Sequence, residues 1–194
     1  KHLASWGFIV IGNEDPSTYS GSSADTTLAW LLNENENPDS RFYQKVDTEH
    51  IGISGHSQGG VGVFNAISEQ PHSNLYTCAV SLSPTQQDLA EALKIPYDPT
   101  KTQIPTMVLV SVENDVITPE GAQKLYDAID ARKVLALHTD VDHGKMLYSA
   151  DGYVTAWFLW LLKDDAQAAK VFTGDSPELL SNPLYQEQQI DMAA

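Results

Sequence analysis

The chain has 194 residues, 42% hydrophobic and 19% charged, with a net charge of −15 and a single cysteine. That length and balance suit one folded domain with a substantial core, not a disordered or disulfide-stapled chain. The acidic surplus argues against nucleic acid as a partner, because phosphate binding needs clustered Lys and Arg, and no apolar stretch approaches the roughly 20 residues of a membrane-spanning helix.

In chain order, Ser5-Trp6-Gly7 reads as a helix end with a glycine cap. Phe8-Ile9-Val10-Ile11 is a continuous apolar, β-branched run and predicts a buried strand. A helix is expected from Ser23-Ala24-Asp25 through Leu28, Ala29, Leu31 and Leu32, followed by a polar loop over residues 33–40. Glu49 to Ser54 reads as a strand and Gly60 to Ser68 as a small-residue helix. Cys78-Ala79-Val80-Ser81-Leu82 is a further strand ending at Pro84, with Cys78 a core residue. Gln86 to Leu93 suits a short helix, Pro105 to Val112 is the clearest strand, and Pro119 to Ala131 is a helix with proline in its first turn. Val134 to Leu137 gives a fifth strand. Tyr153 to Leu162 is an apolar helix expected to pack across the sheet, and Trp30, Trp157 and Trp160 read as packing residues. Residues 164–194 are polar and suggest a helical turn or two and a tail. The alternation of strand and helix implies an α/β chain, a mainly parallel sheet with helices on both faces, and active groups at the carboxyl ends of strands.

The run Ile51-Gly52-Ile53-Ser54-Gly55-His56-Ser57-Gln58-Gly59-Gly60 carries the chemistry. An apolar strand runs directly into G-x-S-x-G, the pattern of a serine on a strained strand-to-helix turn. Gly55 and Gly59 are expected where strand and helix pass close to the serine. The bland alternative is a glycine-rich turn with an incidental serine. A serine hydroxyl is a weak nucleophile at neutral pH and needs a base, itself oriented by a partner. In such sheets the order is Ser, then Asp or Glu, then His. Glu113-Asn114-Asp115 and Asp140-Val141-Asp142-His143-Gly144 follow two later strands and offer that order. His143 is the preferred base. His2 and His50 precede strands, His56 lies inside the turn, His72 ends a helix and His138 lies within a strand. Asp115 is the preferred acid, Glu113 its main rival, and Asp142 sits too close in sequence to orient the ring. Asp140, Asp142 and His143 match no zinc or calcium spacing, and no phosphate-binding P-loop or G-x-G-x-x-G is present.

Three segments give the chain a family likeness. Leu3-Ala4-Ser5-Trp6-Gly7-Phe8-Ile9-Val10-Ile11, Gly55-His56-Ser57-Gln58-Gly59-Gly60 and Val112 to Pro119, with Asp142-His143-Gly144 a weaker fourth, resemble the α/β-hydrolase superfamily. Within it they are similar to cutinase-like polyester hydrolases and their dienelactone-hydrolase and chlorophyllase relatives. The resemblance implies an α/β-hydrolase fold over residues 1–163, as the C-terminal portion of a catalytic domain, with 164–194 a polar extension of the same domain. It implies a serine esterase without cofactor or metal, acting on a small-molecule ester, with Ser57 as nucleophile, His143 as general acid and base, Asp115 as orienter and the Gln58 backbone N–H as oxyanion donor. The family's first strands and its second oxyanion donor would lie upstream of Lys1. Polyester hydrolases carry a tryptophan after the strand-end proline, where this chain has Thr85 and Gln86 after Pro84. Cleavage of amides or peptides by the same triad, and a non-catalytic binding module on the same fold, remain open as alternatives at this point.

Overall fold

A computed structural model describes residues 1–193. Five strands form one sheet in the order β1-β2-β3-β4-β5: β1 Ile51–His56, β2 Tyr76–Leu82, β3 Thr106–Glu113, β4 Lys133–Asp142 and β5 Tyr185–Asp191. The first four are parallel, and β5 runs antiparallel to β4. The helices are α1 His2–Ser5, α2 Ser22–Glu36, α3 Gln58–Glu69, α4 Gln87–Ala92, α5 Pro119–Ala128, α6 Met146–Ser149, α7 Asp151–Lys163 and α8 Ala166–Ala169.

The sheet is buried on both faces, as its unbroken apolar strands require. Side chains alternate across each strand with period two. Met107 and Leu109 of β3, with Cys78 and Val80 of β2, face a layer built on Trp157 and Phe158 of α7 together with Phe172 and Leu179. Val108 and Val110 face the opposite layer, with Val61 and Phe64 of α3 and Leu125 of α5. Cys78 is fully buried, and burial pushes its thiol well above the ordinary range, so it is a core residue as expected. Trp157 is fully buried and Trp160 stacks on Phe172, but Trp30 is about half exposed and only meets Phe42 edge-on.

Two expected elements change identity. Phe8–Ile11 is not a strand, and Ile9, Val10 and Ile11 are exposed. Among the described residues the sheet begins at β1, and a cavity of about 550 Å³ is lined by residues 8–12 on one side and Ile51–Gly55 of the β1 edge on another. An apolar run becomes a strand only where a partner backbone lies about 4.8 Å away, and none does here. Conversely, the polar tail supplies β5. Its burial does not alternate, only Tyr185 being buried, and it pairs with β4 through Val134–Ile190 and His138–Tyr185. A polar edge strand carries little periodic apolar signal, so it reads as a tail in sequence. The expected count of five strands therefore holds only because one loss and one gain cancel.

Candidate active site

The parallel register brings the ends of the first four strands together. His56 pairs with Leu82, so Ser57 and Ser83 are each the next residue past neighbouring strands. The Ser57 N–H donates to the Leu82 carbonyl at 2.9 Å, and the Ser83 N–H to the Leu109 carbonyl at 2.8 Å. Glu113 pairs with Asp142 beyond a register shift after Ser111, which aligns the loop carrying Asp115 with the one carrying His143. All of these residues lie at the carboxyl edge, where α/β sheets hold their active groups.

Ser57 closes β1 and caps α3 with φ 59° and ψ −120°, a positive-φ conformation that is uncommon for a non-glycine residue. The turn is tight enough that a Cβ on Gly55 would meet the Gly59 carbonyl oxygen at 2.2 Å. The expected need for glycine at 59 is not found: a Cβ there meets nothing closer than the Thr18 hydroxyl at 3.7 Å. The second crowded position is Gly60, whose added Cβ would lie 2.9 Å from Ser81 Oγ and 3.1 Å from the Leu82 carbonyl oxygen. Because α3 begins at Gln58, the Gln58 N–H has no intrahelical acceptor and points out at the positive end of the helix dipole.

Asp115 and His143, 28 residues apart, are joined by a 2.8 Å hydrogen bond from His143 Nδ1 to Asp115 Oδ1. The Asp115 side chain is 2% exposed and that of His143 23%. An ionised carboxylate only accepts, so the bond puts the proton on Nδ1 and leaves the Nε2 lone pair free. The Val116 N–H donates to Oδ1 at 2.6 Å. Oδ2 accepts from Ser83 Oγ at 2.5 Å, from Ser111 N at 2.9 Å and from Ser111 Oγ at 2.6 Å. Buried carboxylates need such partners, since an unpaired one would cost several kcal/mol.

The rivals are engaged elsewhere. Glu113 is exposed. Asp142 turns onto its own loop, accepting from the Lys145 N–H at 2.9 Å and pairing with Lys145 Nζ at 3.1 Å. His72 pairs with Asp25, tying α2 to the turn after α3, and His138 is buried against Tyr185. Among the described residues no group of three or more metal-ligating side chains forms, and no helix is long and apolar enough to cross a membrane.

The sequence missed three residues around this pair. Ser83 and Ser111 hold the carboxylate. The only signals were a serine at a strand-end proline and a lone polar residue inside the apolar run of β3. The third is His56, whose Nε2 bonds the His143 carbonyl oxygen at 2.8 Å and whose ring lies 4.5 Å from the His143 ring. Burial holds His56 below its ordinary value of 6.5, opposed by the bond to His143. Neutral His56 then donates from Nε2 and pins the loop that presents His143. A histidine whose folded-state pKa is lowered binds fewer protons when folded, so stability rises with pH through that interval. The contribution is complete above the unfolded value of 6.5 and is lost as pH falls through the lowered value. Thermal melts should therefore show the wild-type Tm falling more steeply between about pH 7 and pH 5 than that of His56→Gln. Equal slopes would remove His56 from this role.

A sequence profile described as PETase, PET hydrolase-like, matches residues 1–186. No curated protein matches the chain. The mainly parallel sheet with helices on both faces is the α/β-hydrolase architecture that the sequence implied. The match spans nearly the whole chain, and so the chain belongs to the PET hydrolase-like family, a family of carboxylic ester hydrolases.

Proposed function

We propose that this protein hydrolyses carboxylic esters through an acyl-enzyme on Ser57. His143 Nε2 takes the proton from Ser57 Oγ as that oxygen bonds to the ester carbonyl carbon. The tetrahedral oxyanion accepts the Gln58 N–H, one donor of which can be worth roughly 3 to 4 kcal/mol. The intermediate collapses, the C–O bond to the alcohol breaks, and His143 returns the proton to the departing alkoxide. Water then repeats the attack on the acyl carbon, again giving its proton to Nε2; the bond from that carbon to Ser57 Oγ breaks, His143 returns the proton to Oγ, and the free acid departs. Asp115 stays ionised throughout and stabilises the imidazolium formed in each half-reaction.

The observation that carries this reading is the 2.8 Å bond between His143 Nδ1 and Asp115 Oδ1, formed at the sheet edge where Ser57 sits on its positive-φ turn. The family points to polyesters as the substrate class. Apolar side chains at this edge suit such a substrate: Leu89 shares a shallow depression with Asp115, and Leu147 and Tyr148, just past His143, are exposed. A fluorophosphonate tests the reading, because it phosphonylates a serine activated in this way. Covalent label is expected on the peptide containing Ser57 and nowhere else. Absence of label, or label on a different serine, would refute the assignment.

A further inference from the structure

Asp115 Oδ2 is surrounded more completely than orientation of a carboxylate by backbone alone would require. Two of its three donors are hydroxyls, from Ser83 and Ser111, and both serines are fully buried. Ser83 reaches it from a backbone at φ 41°, left-handed for a residue with a Cβ, held by its own N–H bond to Leu109. Such strain persists only where the surroundings enforce it, and here they aim a hydroxyl at the carboxylate. Ser111 Oγ comes from the last buried turn of the β3 pleat, flanked by Val110 and Val112. The Ser111 N–H also lies 3.3 Å from Ser83 Oγ, so the two serines and Asp115 form one connected network across β2 and β3.

We propose that Ser83 and Ser111 are positioning residues that lock the rotation of the Asp115 carboxylate. Their donors occupy Oδ2, so Oδ1 is the oxygen left for His143. A carboxylate free to rotate would trade oxygens and point His143 through a range of directions. A fixed one holds Nε2 toward a single site, and catalysis falls steeply with misplacement of the reacting groups. The inference rests on the triad proposed above, with Asp115 as the group through which both serines act.

Ester kinetics with p-nitrophenyl acetate test it. Valine and threonine have nearly the same shape and differ by a hydroxyl, so both disturb the packing around residue 111 alike. Ser111→Val is expected to lower kcat by about tenfold with KM unchanged, as loss of one charge-assisted hydrogen bond implies, while Ser111→Thr stays within about twofold of the wild type. Ser83→Ala should lower kcat to a similar degree. In an Asp115→Ala background Ser111→Val and Ser83→Ala should each change kcat by less than about twofold, because the group they hold is gone. Wild-type kcat in Ser111→Val, equal losses in Ser111→Thr and Ser111→Val, or full losses persisting without Asp115 would each overturn the proposal. Wild-type kcat in Asp115→Ala would overturn the triad assignment itself and this inference with it. That outcome is distinguishable because it needs neither serine substitution.

Discussion

Ser57→Ala is expected to lower kcat for p-nitrophenyl ester hydrolysis by about 10⁶-fold, with KM and Tm close to those of the wild type. The size follows from what the substitution removes. No covalent intermediate can form without Oγ, and the other serines at this edge cannot replace it, since Ser83 and Ser111 are buried and donate to Asp115. Alanine keeps a Cβ at the same positive φ, so the turn between β1 and α3 is as strained as before and the fold is left alone. The residual rate would come from the oxyanion donor and binding alone. Steady-state assays with purified protein check this. A loss smaller than about tenfold would mean that the nucleophile lies elsewhere.

Asp115→Asn is expected to lower kcat by about 10⁴-fold at neutral pH while the protein stays folded. The hydrogen bonds around the side chain determine how the amide sits. Three donors converge on the Oδ2 position, so the asparagine carbonyl oxygen belongs there and the NH₂ takes the place of Oδ1. That NH₂ then faces His143 Nδ1 and donates to it. The ring is driven to the tautomer with its proton on Nε2, which cannot accept a proton from Ser57. The amide would also confront the Val116 N–H, now donor against donor. Kinetics across pH, together with thermal melting to establish folding, check the result. Wild-type activity in Asp115→Asn combined with its loss in Glu113→Gln would transfer the orienting role to Glu113.

The sheet edge was legible in the sequence for a simple reason. Ser57, Asp115 and His143 each follow an apolar strand by one or two residues, and a parallel sheet brings all such positions to one side. The elbow was legible because Gly55 is sterically required: any side chain there would strike the Gly59 carbonyl. The partition between core layers was not legible, since Met107 to Val110 is apolar throughout and only the structure sends Met107 and Leu109 to one face and Val108 and Val110 to the other. Gly59 misled because a motif glycine is not always a crowded one.

What the sequence determined by itself, then, is local: strands β1 to β4 with their helices, the strained serine turn, and the order in which Ser57, Asp115 and His143 appear. These follow from side-chain periodicity and backbone sterics over a few residues. Tertiary structure decided the rest. It chose Asp115 over Glu113 and Asp142, because only Asp115 is buried under the donors of β2 and β3. It turned polar Tyr185–Asp191 into β5 and left apolar Phe8–Ile11 unpaired. It also recruited Ser83, Ser111 and His56 around the Asp115–His143 pair. Strand partners and hydrogen-bond partners are relations between residues distant in sequence, and no local pattern encodes them.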